Sequence, residues 1–329
     1  MTSPVQNIIA GISNTALRYW LRNRELPHSF SNTDSLVGLI EKLMAQDKLS
    51  LEDLNTGVRE IEEHGGKRVY LRQLSDWELL TNRRKFEKHL EQFDIKLNDA
   101  PTTSIKNPSK WKVNYAVWSD VEVRIKVSER HVKVKFDKRT RRYEDTPITR
   151  FIVFSAEPKT GFMTIFIDPP GDDHPHTNDR GIMTDAAYTQ FFFDLGGRIF
   201  GEFDNYKVDK SVEQLFKIEP PIYEAIHDTG WTEDNYRYSF RGRRDIRVCA
   251  ARKAGSGVNI GPGSADFIRG SWLAETSEEH LARDLYMPIW PEESRIQFRA
   301  DVLKNEVDYA ISTVRKLQEG RRGGGKSAD

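Results

Sequence analysis

The spacing of apolar residues along the first third of the chain predicts α-helices. Apolar positions recur every three or four residues through 17–21, 36–43 and 54–61, which is the period of one buried helix face. Residues 31–34 and 50–53 are rich in Ser, Thr, Asn and Asp, whose side-chain oxygens can cap the helices that follow. With a further charged helix expected over 76–93, residues 1–97 are predicted to form a helical module.

Helical periodicity disappears between residues 98 and 110. This segment, NDAPTTSIKNPSK, combines Pro, Ser, Thr and Asn, a composition typical of connecting segments. We therefore interpret 98–110 as a linker between two domains.

After the linker, apolar and polar residues alternate, as they do in strands with one buried and one solvent-facing side. Residues 121–127 and 132–136 follow this pattern and are interpreted as the two strands of a hairpin. Residues 151–154 and 162–167 predict a second strand pair, joined by the Pro and Gly of 158–161.

The remaining pattern mixes helix and strand. A helix broken or kinked at Gly196 and Gly197 is expected over 185–203, and short strands are expected at 237–240, 246–251 and 271–274. Residues 296–311 suit either a hairpin or one helix. The strand-rich domain is assigned to 111–317 and a disordered tail to 318–329. The predicted fold class is α+β: an N-terminal helical bundle followed by a larger, mainly antiparallel mixed α/β domain.

The amino-acid composition restricts the functions and the cellular location that are expected for this chain. The chain has 50 Lys and Arg against 50 Asp and Glu, so its formal net charge is zero. A protein that coats nucleic acid indiscriminately has a basic excess, so any nucleic-acid contact here must use local patches. Cys249 is the single cysteine and is interpreted as a buried, inert thiol in a reducing compartment. A cytoplasmic protein without a membrane segment or cofactor is expected, or a nucleoid or nuclear one if it binds DNA.

The first candidate for nucleic-acid binding lies in residues 16–43, ALRYWLRNRELPHSFSNTDSLVGLIEKL. A basic helix leads through the loop Leu-Pro-His-Ser-Phe into a second amphipathic helix. This order resembles the SAP module, a DNA-binding helix–extended loop–helix element, although the loop lacks a glycine-containing turn. The overall outline is also similar to the centromere protein N family, in which a helical module precedes a strand-rich domain and DNA is contacted. The SAP resemblance implies phosphate contacts from Arg18, Arg22, Arg24, His28 and Lys42; the alternative is an ordinary bundle with a charged outer face.

The second candidate is a basic strip on the predicted strands at 121–136. Because alternate strand residues share a face, Arg124, Lys126, Lys133 and Lys135 are expected on one side, beside His131. Another basic cluster surrounds a Phe-Arg-Gly-Arg-Arg turn that could bind phosphate through two parallel hydrogen bonds. Solvated strand faces and a charged hairpin tip are the alternatives. The expected phosphate contacts also include Arg139, Arg141, Arg142, Arg243 and Arg244; Lys138, Arg237, Arg241 and Arg247 extend the two clusters.

The third candidate is an acidic loop that follows the strand at 162–167. Asp and His crowd into it, as metal ligands and general bases often do. Three prolines stiffen this loop, and no familiar metalloenzyme spacing is present, so an exposed acidic loop is the alternative. The candidate ligands are Asp168, Asp172, Asp173, His174 and His176.

Three functions remain open on this evidence. The leading hypothesis is a non-enzymatic protein that binds nucleic acid, with duplex DNA as its partner. The second is an adaptor that binds another protein within a larger complex. The third is a metal-dependent hydrolase or nuclease that uses the acidic loop.

Overall fold

The computed structural model describes residues 3–102, 108, 111–137, 141–169, 176–177, 181–182, 185–215, 218, 222–224, 229–233, 236–240, 264–277 and 280–320. Four helices open the chain, and the last three of them match the helical periods predicted at 17–21, 36–43 and 54–61. Asn32 and Ser50 each form a capping box at the start of a helix. Gly57 lets two of the helices approach closely, because a Cβ atom there would lie 2.1 Å from the ring of Trp20. The helices are α1 Pro4–Ile9, α2 Asn14–Asn23, α3 Thr33–Ala45 and α4 Leu51–His64.

The segment after α4 departs from the helical prediction. Strand β1, Arg68–Leu74, lies inside the region assigned to the helical module. The helix expected over 76–93 is instead a short 3₁₀ helix, Glu78–Thr81, followed by α5, Arg83–Glu91. Five of the seven residues of β1 are buried and the other two are half-buried, so the strand lacks the polar–apolar alternation that would reveal it in the sequence.

The next strands also differ from the predicted hairpin. Residues 121–127 and 132–136 were expected to pair with each other, but they belong to one continuous strand. That strand, β3, runs from Val123 to Asp137, and its partner β4 runs from Arg142 to Ala156. Residues 128–131 contain no Gly, Pro or Asn to turn the chain. The predicted pairing of 151–154 with 162–167 is confirmed, because β4 is antiparallel to β5, Phe162–Ile167.

The other strands are short. Two of them, in 237–240 and 271–274, were predicted, whereas 246–251 lies outside the described residues. The strands are β2 Lys112–Trp118, β6 His176–Thr177, β7 Gly181–Ile182, β8 Phe203–Asn205, β9 Tyr223–Glu224, β10 Thr229–Glu233, β11 Tyr236–Phe240, β12 Ser264–Ile268, β13 Ser271–Trp272, β14 Leu285–Tyr286, β15 Ile289–Trp290 and β16 Arg295–Gln297.

One eleven-stranded antiparallel sheet organises the chain. Its order is β11-β10-β12-β15-β16-β1-β5-β4-β3-β2, and β8 also pairs with β1. The expected boundary at residue 97 therefore does not separate the helical module from the sheet, because β1 lies near the middle of the sheet. The structure is an α+β fold with N-terminal helices followed by a large antiparallel sheet, as predicted.

Helices cover both faces of the sheet. On one face, α5 and α6, Asp185–Phe200, pack with residues such as Tyr70 and Phe154. On the other face, α7, Asp209–Leu215, and α8, Lys304–Gln318, pack with residues such as Leu71. No described helix combines the length and the apolar character needed to cross a membrane.

Helices α6 and α8 decide two predictions that concern the C-terminal half of the chain. Helix α6 continues through Gly196 and Gly197 instead of breaking, and a Cβ atom on Gly196 would lie only 3.0 Å from the ring of Phe154. Gly196 therefore allows close packing against the sheet. Residues 296–311 contain the end of β16 and the first half of α8 rather than a hairpin. Helix α8 ends at Gln318, and residues 321–329 of the expected tail lie outside the described residues.

Candidate nucleic-acid interface

Arg124 and Lys126 are largely buried and occupy positions of β3 that alternate with those of Lys133 and Lys135, which corrects the prediction of one continuous exposed strip. The side chain of Lys126 is 0% exposed and that of Arg124 is 11% exposed. This part of β3 lies between β2 and β4, and its basic side chains reach carboxylates at the end of α4. Neither residue is available to a phosphate backbone.

The buried cations form an ionic cluster with α4. Lys126 Nζ lies 3.1 Å from Glu62 Oε2 and 3.5 Å from Glu63 Oε1. Arg124 Nη1 lies 2.6 Å from Glu63 Oε2, and the hydroxyl of Tyr115 donates to Glu63 Oε1 at 2.7 Å. Burial raises the pKa of Glu63, but Lys126, Arg124 and the Tyr115 hydrogen bond outweigh it and lower that pKa to about 2. The cluster is internally compensated and joins the helical bundle to the sheet.

Asp168 also has a structural role, because both of its carboxylate oxygens are bonded within the protein. Its Oδ1 lies 2.5 Å from the Nζ of Lys67, which is itself 1% exposed, and its Oδ2 accepts from the backbone N–H of Phe151 at 2.6 Å. Asp172, Asp173 and His174 lie outside the described residues, and His176 begins β6. Within the described part of the chain, no three His, Cys, Asp or Glu residues are grouped to hold a metal ion.

The candidate contacts of the N-terminal helices are exposed. Arg18 donates to the carbonyl of Phe30 at 3.0 Å and lies 4.7 Å from the centre of its ring. Arg24 lies 3.1 Å from Asp53 and stacks on Trp20, so part of its charge is balanced within the bundle. The three remaining candidates of this region are also exposed: Arg22, His28 and Lys42.

The outer parts of β3 and β4 extend beyond their neighbours in the sheet. Pairing of β2 with β3 ends at Ser128, and pairing of β5 with β4 ends at Ile152. From Glu129 opposite Arg150 to Asp137 opposite Arg142, the two strands continue through nine register pairs. In the described structure no third strand pairs with this part. We call residues 129–150 the ribbon arm, and its length is about 30 Å at about 3.3 Å per residue.

The ribbon arm is basic although the whole chain is neutral. It contains eight Lys or Arg residues and four Asp or Glu residues. Arg141 is exposed and adopts a left-handed φ of 53° beside the tip. The basic residues of the ribbon arm are Arg130, Lys133, Lys135, Lys138, Arg139, Arg141, Arg142 and Arg150.

The base of the ribbon arm is held by the protein core. His131 Nε2 lies 3.1 Å from Glu129 Oε2, and both side chains are buried. The ring of His131 also meets the ring of Tyr188 on α6 edge to face, with 5.3 Å between ring centres. Arg150 donates to the carbonyl of Pro169, and β6 lies against β3. The arm therefore leaves the sheet in a fixed direction.

Other predicted contacts cannot be placed. Arg237 lies on β11, whereas the rest of the second basic cluster lies outside the described residues, as do Lys138 and Arg139. Cys249 is also outside them. The undescribed members of the second cluster are Arg241, Arg243, Arg244 and Arg247.

Sequence reasoning missed the carboxylates that neutralise Arg124 and Lys126. The available signal was the adjacent pair Glu62 and Glu63 at the end of a predicted amphipathic helix. Negative side chains at the C-terminal end of a helix interact unfavourably with the helix dipole. Their partners are 61 and 64 positions away, so the local pattern could not identify them.

Comparison of the chain with models of protein families finds no match, and comparison with curated proteins finds none either. The function has to be inferred from the residues and their geometry.

Proposed function

We propose that this protein binds duplex DNA through the ribbon arm, without catalysing a reaction. The observation that carries this proposal is a two-stranded arm that leaves the sheet with twice as many basic as acidic residues. The net charge of the whole chain is zero, so the basic excess of the arm is local. Such a local excess attracts a phosphate backbone without coating the whole protein with nucleic acid.

A two-stranded ribbon such as the arm can enter a groove of B-form DNA. The major groove is about 12 Å wide and admits a two-stranded β-ribbon. Lys133 and Lys135 occupy alternate positions of β3, while Arg141 and Arg142 lie near the tip. Basic residues along both strands would contact the phosphates that border the groove and so fix the orientation of the arm.

The exposed cations of α2 support the same function. Arg18 is held by Phe30 in an exposed position, so a phosphate contact would cost little side-chain entropy. We propose Arg18 and Arg22 as secondary contacts that add affinity without reading sequence.

Binding of the full-length protein to a fluorescent duplex across a salt series tests this function. The variant Lys133→Glu/Lys135→Glu should bind more weakly, and its plot of log affinity against log salt should flatten by about 0.9 for each lost phosphate contact. Lower affinity with a flatter slope would support the assignment. Equal affinity and equal slope would overturn it.

A matched variant separates a specific contact from a general change in charge. Lys159→Glu/Lys210→Glu makes the same change in net charge at two exposed positions outside the arm, and Lys159 follows the opposite end of β4. This control should retain the affinity and slope of the unmodified protein. Equal losses in both variants would show that only overall charge matters, which contradicts a role for the arm.

A further inference from the structure

A second site, separate from the ribbon arm, lies between α6, β8 and the turn at 291–294. It is an open groove with a volume of about 1290 Å³. Small-molecule pockets typically measure about 300–1,000 Å³. The groove is therefore large enough for several residues of an extended chain.

Arg72 on β1 lies at the floor of this groove. Only 4% of the residue is exposed, and its guanidinium carbon lies 4.5 Å from the ring centre of Phe193 and 5.3 Å from that of Tyr70. Its Nη1 donates to the carbonyls of Leu71 and Glu293, both at 3.0 Å. Burial lowers the pKa of Arg72 to about 10, so the side chain is charged at neutral pH.

In the described structure no carboxylate lies within ion-pairing distance of this buried cation, although the charge of Glu293 raises the pKa of Arg72 against the effect of burial. Among the described residues, Arg72 makes no ion pair, and its Nε and Nη2 atoms make no hydrogen bond. These two atoms form the edge through which arginine binds a carboxylate with two parallel hydrogen bonds. A ligand carboxylate reaching the floor of the groove would complete this arrangement.

The rim of the groove carries the opposite charge. Five carboxylates line it, and in the described structure none of them forms an ion pair, even though Arg198 and Lys207 also line the groove. Asp194 accepts a hydrogen bond from Gln190 at 2.8 Å, and all five are exposed. The five are Asp194, Glu202, Asp204, Asp209 and Glu292.

We propose that this groove binds a basic peptide whose terminal carboxylate meets Arg72 and whose Lys or Arg side chains face the rim. One buried cation lies below a rim whose five exposed carboxylates outnumber its two basic residues, Arg198 and Lys207, and this arrangement suits a ligand that combines a single negative charge with several positive ones. A phosphate dianion or a nucleic acid would be repelled by the rim. The inference is independent of DNA binding by the ribbon arm.

Fluorescence anisotropy with an N-terminally labelled Gly-Gly-Lys-Lys peptide tests the proposal on the full-length protein. The peptide with a free carboxylate should bind about tenfold more tightly than the same peptide with a terminal amide, because a charge-assisted pair with Arg72 is lost in the amide. Equal affinities for the two peptides, or no binding of either one, would overturn the proposal.

Two variants test which protein residues bind the carboxylate and which bind the basic side chains of the peptide. Arg72→Gln should abolish the difference between acid and amide; persistence of the difference would contradict the role of Arg72. Since Arg72 also packs against the core, Asp204→Asn/Asp209→Asn supplies a test at exposed positions. It should weaken the acid and the amide equally, by roughly five- to tenfold, and unchanged affinity for both would rule out recognition of basic side chains by the rim.

Discussion

The burial of Lys126 is the residue-scale feature that most changes the interpretation of the sequence. Basic residues at alternate strand positions are typical of a solvated face, yet Lys126 is fully buried against Glu62 and Glu63. Charges without water are tolerated only when they are paired and hydrogen-bonded. The cluster therefore depends on each of its members.

Replacement of Lys126 by Met should destabilise the protein by about 3–5 kcal/mol, because Glu62 and Glu63 would lose their buried cation. Urea unfolding followed by circular dichroism measures this change. Lys159→Met, at an exposed position, should change the free energy of unfolding by no more than about 0.5 kcal/mol. A loss of less than about 1 kcal/mol for the Lys126 variant would show that the cluster contributes little.

His64 makes stability depend on pH. The residue is 1% exposed, its Nδ1 lies 2.8 Å from the carbonyl of Glu60, and its ring packs edge to face on Phe166. Burial, and next the nearby charge of Arg124, lower its pKa from 6.5 to about 3; Glu63 opposes this shift and Lys304 adds to it. Between these two pKa values the unfolded chain binds a proton that the folded protein does not, so stability is lost as pH falls from 6.5 towards 3.

His64→Gln removes this titration. The unmodified protein should therefore lose stability relative to the variant on going from pH 7.5 to pH 4.5, by at most about 1.4 kcal/mol for each pH unit below 6.5. Guanidinium unfolding at the two pH values measures the difference. Glu63, with a pKa of about 2, keeps its charge over this range. A stability gap between the two proteins that does not change with pH would contradict the assignment.

Among the helices and strands, β1 has the largest effect on how the fold is organised. It pairs with β5, β8 and β16, and its side chains enter two different hydrophobic cores, with Leu71 in one and Tyr70 in the other. The sequence of β1, Arg-Val-Tyr-Leu-Arg-Gln-Leu, mixes polar and apolar residues without the regular alternation that marks a half-buried strand. The linker prediction placed it with the helices for this reason.

A fragment of residues 98–320 should therefore fail to fold cooperatively, because it lacks the strand that connects the two halves of the sheet. Its thermal unfolding, followed by circular dichroism, should show no sharp transition. The matched truncation 1–320 removes only the last nine residues and should unfold like the complete chain. A sharp transition in the 98–320 fragment would mean that the sheet folds without β1.

At the scale of the whole molecule, zero net charge conceals an uneven distribution. The ribbon arm carries an excess of basic residues, while the groove above Arg72 is rimmed by carboxylates. The two sites suit ligands of opposite charge, so the two proposals together predict that one neutral chain binds DNA and a basic peptide at separate places. The helical bundle is joined to the sheet through the ionic cluster and through Leu303, which precedes α8 and packs in the core of the bundle.

The sequence alone determined what depends on neighbouring residues. Helical periodicity and the caps at Asn32 and Ser50 predicted α2, α3 and α4, and alternation with a Pro/Gly turn predicted the pairing of β4 with β5. These signals operate over a few residues, within the range of local hydrogen bonding and side-chain packing. They also predicted the α+β class.

Only the tertiary structure decided which basic residues are available to a ligand and where the ribbon arm begins. Lys126 is neutralised by Glu62 from 64 positions away, and the arm begins where β2 and β5 stop pairing with β3 and β4. Both facts depend on which strands become neighbours. Strand alternation gives the face of a residue but not what covers that face, because long-range pairing leaves no local pattern in the sequence.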